Sequence, residues 1–215
     1  MACAHNGGSD DRESLWVDNS PYSRAYGRMY VSFNDFNRNG GLFVSHTDDG
    51  VTWSTPVQIA SGTPFIRDVQ ITGTLPGSIP PSAGWMSPVF LEGMDEGSGG
   101  LSTRQNIMYR STDGGATWTS ATQGPRFNPV GDGTCGYFAK VNPIWRHMGW
   151  GEPAVGPNHV IHYAYAGQGQ APGDTGDIYH LSDKQAESCA TAVHRRLDQS
   201  RSAGRKMIAQ RFSAA

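Results

Sequence analysis

The stretch STDGGATW at 111–118 decides how the rest of this chain is read. It follows the pattern S-x-D-x-G-x-T-W at every position. HTDDGVTW at 46–53 repeats it 65 residues earlier, with Asp48, Gly50, Thr52 and Trp53 in the patterned positions and His46 where Ser111 stands. The chemistry is that of a tight hairpin turn. A carboxylate and a hydroxyl bond nearby backbone N–H groups, a glycine takes a positive φ, and the indole packs back on the sheet. Asp48, Gly50, Trp53, Ser111, Asp113, Gly115 and Trp118 are therefore expected to be structural rather than catalytic or calcium-binding.

Outward from these turns, short β-rich runs recur in a fixed order. ESLWVDNSP (13–21), GRMYVSFND (27–35), GLFVSHTDDGVTW (41–53) and STPVQI (54–59) form one cycle. FIRDVQITGTLPG (65–77), GWMSPVFLEGMDE (84–96), NIMYRSTDGGATW (106–118) and TSATQG (119–124) form a second. A third begins with RHMGWGEPAVGPN (146–158), HVIHYAYAGQG (159–169) and GDIYHLSD (176–183). Four short strands joined by turns are the unit of a β-propeller blade, and self-similarity of this period marks a repeat architecture. The expected fold is all-β: a partial propeller of about three blades over 1–183. Residues 184–215 break the pattern. They hold seven Lys/Arg against two Asp/Glu and read as a basic, non-repeat tail, out of frame or disordered.

Composition bounds the function. With 28 Gly and 13 Pro spread along 215 residues, the chain is turn-rich. A formal net charge of −2 gives no basic footprint for nucleic acid, and no apolar run approaches the roughly 20 residues that span a bilayer. Cys3, Cys135 and Cys189 are too scattered for a disulfide scaffold or zinc cluster, so neither metal nor cofactor is expected. MACAHNGGSDDRES has no basic and apolar leader, so no secretory signal is read.

The S-x-D-x-G-x-T-W turn resembles the Asp-box, or BNR repeat, of sialidases and other Asp-box propellers, and the resemblance covers about 10–183. It implies six blades around an axis, an arginine triad for a substrate carboxylate, an Asp acid/base and a Tyr–Glu nucleophile pair. It also implies boxes on the blade periphery, away from the active site. The implied function is a glycoside hydrolase of the exo-α-sialidase type acting on glycans, from a parent that can be secreted or periplasmic. The alternatives are a non-catalytic glycan- or protein-binding propeller and an inactive truncated product. The family's F/Y-R-I-P arginine motif is absent, and FIRDVQ (65–70) offers an Arg in a comparable setting. The Tyr–Glu pair comes from later blades in the family, so Tyr137, Tyr163 and Tyr165 are not assigned that role. This chain alone is expected to be a poor enzyme that self-associates through exposed blade faces.

If strands run from inner to outer within each cycle, the start of each first strand lies on the face opposite the box turns. Aligning the cycles puts Glu13, Asp68 and Glu152 there as candidate catalytic carboxyls. Arg12, Arg67 and Arg146 (with His147 beside it) are candidate substrate-binding cations. Trp16, Trp145 and Trp150 lie near the same ends as candidate sugar-stacking rings. The same residues read equally as inter-blade salt bridges and packing. Asp35, Asp95, Glu96 and Arg104, in the loops between second and third strands, are further candidates on that face, or solvated loop charges.

Overall fold

The computed structural model of the chain describes residues 10–61, 66–75, 85–97, 103–130, 151–156, 160–170, 172, 176–183 and the backbone of 193–196. Strands β1 (Asp10–Val17), β2 (Met29–Asp35), β3 (Gly41–Thr47) and β4 (Val57–Ala60) form a first antiparallel sheet in chain order. A second sheet holds β5 (Ile66–Gly73), β6 (Val89–Asp95), β7 (Arg104–Ser111) and β8 (Thr119–Phe127), again in chain order. β9 (Glu152–Val155), β10 (Ile161–Gly167), β11 (Asp177–Asp183) and β12 (Val193–Arg196) make the third. One 3-10 turn, Phe36–Arg38, interrupts the strands among the described residues. β12 lies within the stretch expected to fall outside the repeat. Its backbone pairs with β11 from Tyr179↔Arg196 to Ser182↔Val193, so the repeat does not stop at residue 183. Pairing with an open edge needs only backbone N–H and C=O groups, which no composition signal reports.

Adjacent sheets stack through their first strands. Between the first and second, Tyr30, Leu42, Val44, Ile66, Val69, Ile71, Val89, Leu91 and Tyr109 form one buried cluster, with Trp16 and Trp118 packed on it. Each fully buried side chain of this kind contributes about 1.5–3 kcal/mol from removal from water. Polar groups fix the same interface. Ser32 Oγ donates to the carbonyl of Val69 at 2.6 Å, Asn34 Nδ2 to that of Ile66 at 3.0 Å, and the Ile71 amide donates to Ser14 Oγ at 3.2 Å. Phe90 and Met108 meet Val155 and Ile161 between the second and third sheets, where Phe127 also packs on a stack of Tyr163, Tyr165 and Tyr179. On the far face of the first sheet Phe33 and Phe43 stack and are buried, but Leu15 is 58% exposed, whereas Ile71, at the matching place in the second sheet, is 6% exposed.

The two patterned turns are not closed in the same way. In the second, Asp113 accepts from the Ser111 hydroxyl, the Thr117 amide and the Thr117 hydroxyl, while the Gly115 amide donates to Ser111 Oγ. Trp118 Nε1 donates to the Gly115 carbonyl at 3.0 Å. In the first, Thr47 takes the place of Ser111 and Asp49 that of Asp113. Asp49 Oδ1 accepts from Thr47 Oγ1 at 2.9 Å and from the amides of Val51 and Thr52 at 2.7 and 2.6 Å. The turn is one residue shorter than its counterpart, so the motif alignment that selects Asp48 and His46 is off by one. Asp48 instead takes both arms of Arg28, at 2.6 and 2.9 Å, and Arg28 Nη1 reaches the carbonyl of Gly114 in the neighbouring sheet at 3.1 Å.

Two outcomes follow for stability. Asp49→Ala should lower Tm more than Asp48→Ala, because it removes the turn-closing acceptor rather than half of a surface ion pair. Equal effects would restore the motif alignment. Gly73 lies under the Trp16 ring, where an added Cβ would come within 2.3 Å of ring carbons. Gly73→Ala should therefore cost about 1–3 kcal/mol by overpacking, read by urea unfolding, whereas an unchanged midpoint would deny that contact.

Candidate functional site

The first strands of the first two sheets each carry a bulge at the same place. Pairing of β1 with β2 slips between Asp11 and Ser14, and pairing of β5 with β6 slips between Arg67 and Gln70. Arg12 and Asp68 occupy matching positions in these bulges, with φ of 62° and 60°. The left-handed region suits Asp and is uncommon for Arg. Holding Arg12 there costs on the order of 1–3 kcal/mol, a kind of strain that clusters at functional sites. Bulges re-aim side chains, and these two bring Arg12 and Asp68 into one electrostatic cluster at the junction of all three sheets.

Asp68 is 1% exposed. Its Oδ2 accepts the Gly151 amide at 2.9 Å, and the same amide reaches the Tyr163 hydroxyl at 3.2 Å. Gly151 has no room for a side chain, since a Cβ would sit 1.8 Å from the Ala164 carbonyl oxygen. Burial pushes the Asp68 carboxyl up to about 7; the Gly151 amide and the Arg12 guanidinium oppose the shift, and Glu152 adds to it. Next to Asp68 is Glu92, fully buried and raised well above the usual carboxylate range, by burial first and by Asp68 second. Burial also raises Tyr163, reinforced by Glu92 and Asp68. Glu152 stands at the exposed rim, its carboxyl raised by partial burial and pulled back by Arg12. Arg12 is lowered by desolvation and faces Asp68, Asp11, Arg67 and Glu96. Arg67 lies 3.6 Å from Asp11 and spans the Phe36 ring at 5.1 Å.

Of the residues singled out from sequence, Arg12, Arg67, Asp68 and Glu152 thus meet. Glu13 does not: it is exposed, one position beyond the bulge residue, and its partner position in the second sheet is Val69. A one-residue offset in a strand sends the side chain to the other face. Trp16 packs against Tyr30 with ring centres 5.6 Å apart and belongs to the core. Tyr165 lies in the tyrosine stack. Asp35 accepts the Asn37 amide and caps the 3-10 turn; Asp95 accepts the Gly97 amide and pairs with Arg126 at 2.8 Å. Glu96 and Arg104 form a fully buried ion pair at 2.8 Å. These loop charges tie the loops down. Arg146, His147, Trp145, Trp150 and Tyr137 lie outside the described residues. Glu92 went unnoticed in sequence, although a lone carboxylate within VFLEGM was the available signal. Among the described residues, no three His, Cys, Asp or Glu are grouped to hold a metal ion, and no helix is long and apolar enough to cross a membrane.

No family model matches the chain, and no curated protein does. Solved structures do match. One is the α-L-arabinofuranosidase Arb93A of Fusarium graminearum with an iminosugar inhibitor, at 14% identity and TM-score 0.48, covering 86% of this chain and 49% of that one. The same organism's GH93 α-L-arabinofuranosidase with arabinobiose matches at 13% identity and TM-score 0.48, over 86% and 49% of the two chains. A protein of unknown function from Dyadobacter fermentans matches at 15% identity and TM-score 0.51, over 86% and 53%. The likeness is one of fold. The chain spans about half the length of the structures it matches.

The raised Asp68 carboxyl makes stability depend on pH. The folded state holds this proton more tightly than the unfolded chain does, so folding loses stability as pH rises from about 4 to about 7, then levels off. Asp68→Asn, compatible with the left-handed backbone, should flatten that slope and gain on the order of 2–4 kcal/mol relative to the parent between pH 4.5 and 8. Urea unfolding at the two pH values reads it. Parallel pH profiles of parent and variant would contradict the raised carboxyl.

Proposed function

We propose that this chain carries a glycan-hydrolysing site in which Asp68 is the general acid and Glu152 the second carboxyl. The arrangement that supports it is a buried Asp68 carboxyl, pushed up to about 7 by burial, beside the exposed Glu152 carboxyl, with two guanidinium groups at the same place. Glycoside hydrolysis uses such a division of labour. One carboxylic acid protonates the leaving oxygen, and the other, ionised, attacks or steadies the positive charge growing on the sugar. Arg12 and Arg67 favour a substrate that itself bears a carboxylate, as a sialoside does, which gives the reading its exo-α-sialidase form. Tyr163 touches Glu92, the residue pairing that the sialidase resemblance implies for a nucleophile. Both side chains are buried behind Gly151, however, and neither is given that role.

A non-catalytic glycan-binding module is the second reading, favoured by the 1% exposure of Asp68. The test measures binding and hydrolysis of a fluorogenic sialoside against an uncharged arabinofuranoside. The enzyme reading expects selective binding of the sialoside, weakened at least tenfold in Arg12→Ala. It also expects slow hydrolysis that falls by about 10²–10⁴ in Asp68→Asn and Glu152→Gln. Binding with no hydrolysis at any pH would support the module. No binding of either glycoside would overturn both.

A further inference from the structure

We infer that Asp68 and Glu92 form a carboxyl dyad that shares one proton, with Glu92 the donor and Asp68 the acceptor. This goes beyond the proposed site, in which Asp68 and Glu152 are the working carboxyls, and rests on that reading only for its catalytic consequence. Glu92 is fully buried, and among the described residues neither of its carboxyl oxygens has a partner at full hydrogen-bonding geometry, the Tyr163 hydroxyl being the one neighbouring donor that favours its charge. It sits opposite Gln70 on the neighbouring strand, within reach of Asp68 across the bulge. An ionised Glu92 would have only the Tyr163 hydroxyl to serve two oxygens in a dry interior, a cost that buried carboxylates escape by keeping their proton. A protonated Glu92 has one hydroxyl to donate, and the acceptor beside it is the Asp68 carboxylate.

The remaining pieces fit a single negative charge. Asp68 Oδ2 already receives the Gly151 amide, and the Arg12 guanidinium on β1 faces it, enough for one carboxylate and not for two. The other titratable groups turned toward the pair are Glu152 on β9, Tyr163 on β10 and Tyr109 on β7, none of them a cation. The matching position in the first sheet is Ser32, whose hydroxyl donates across the sheet interface to the Val69 carbonyl. This ladder position therefore carries a donor in both sheets. In the proposed reaction Asp68 takes up a second proton, passes it to the leaving oxygen and regains it from water, while the shared proton stays on Glu92 and steadies the Asp68 carboxylate left in between.

The test is a carbon-detected NMR titration of the labelled carboxyl groups in the parent chain and in Glu92→Gln, Glu92→Leu and Asp68→Asn, with amide spectra confirming each fold. In the parent, the Glu92 carboxyl should remain protonated at pH 8 while Asp68 titrates below it. Glu92→Gln keeps an N–H donor, so the Asp68 midpoint should move by less than about half a pH unit. Glu92→Leu removes the donor, so Asp68 should hold its proton about tenfold more tightly, a midpoint about one pH unit higher. A Glu92 carboxyl ionised at pH 7 would overturn the dyad, as would an Asp68 midpoint identical in the parent and Glu92→Leu. Failure of the hydrolytic reading shows separately: the dyad would titrate as described while Asp68→Asn left glycoside hydrolysis unchanged.

Discussion

The Gly151 amide bonded to Asp68 joins two residues 83 positions apart, and the arrangement of the site depends on it. It links the start of the third sheet to the bulge of the second at the point where a charge is buried. Only glycine fits there, because the Ala164 carbonyl occupies the space of any side chain. The amide is thereby held against both Asp68 and the Tyr163 hydroxyl. Remove that donor and Arg12 and Gln70 would be left to hold the Asp68 carboxylate beside Glu92 and Glu152. The sheet interface and the chemistry of the pocket are thus one problem in polar satisfaction.

The same logic runs along the first strands. Sheets that stack face to face need apolar side chains for cohesion, supplied here by Val69, Ile71, Tyr30 and Leu91. They also need partners for each backbone group that a bulge leaves over. Ser14, Ser32 and Asn34 supply those partners between the first two sheets. Between the second and third, Glu92 stands where Ser32 would, so a hydroxyl donor is exchanged for a carboxyl that can serve only by keeping a proton. One substitution in a repeated framework turns a structural position into a titrating one.

How much of this was legible in the sequence differs by level. Alternating runs and turn residues gave the first two four-stranded meanders and three strands of the third, because strand period and glycine-rich turns are local properties. The bulges were not legible. Arg12 and Asp68 reach positive φ through tertiary packing, and nothing in RES or RDV announces it. Hence the alignment paired Glu13 with Asp68, when the residue matching Asp68 is Arg12. A similar one-residue slip selected Asp48 over Asp49, since the shorter first turn keeps the letters of the motif while moving its hydrogen bonds. Glu92 was hidden by its apolar neighbours, and its meaning appears only when the sheets bring Asp68 and Tyr163 against it.

The most direct measurement is the pH dependence of the Gly151 amide, followed by proton shift and by exchange with solvent. If this amide is the donor to a buried carboxyl that ionises near neutrality, its resonance should move downfield with a midpoint close to 7. Exchange should slow as the carboxylate forms, because a charged acceptor holds the proton more strongly. A Gly151 amide that exchanges freely, with a shift flat between pH 5 and 9, would contradict the account.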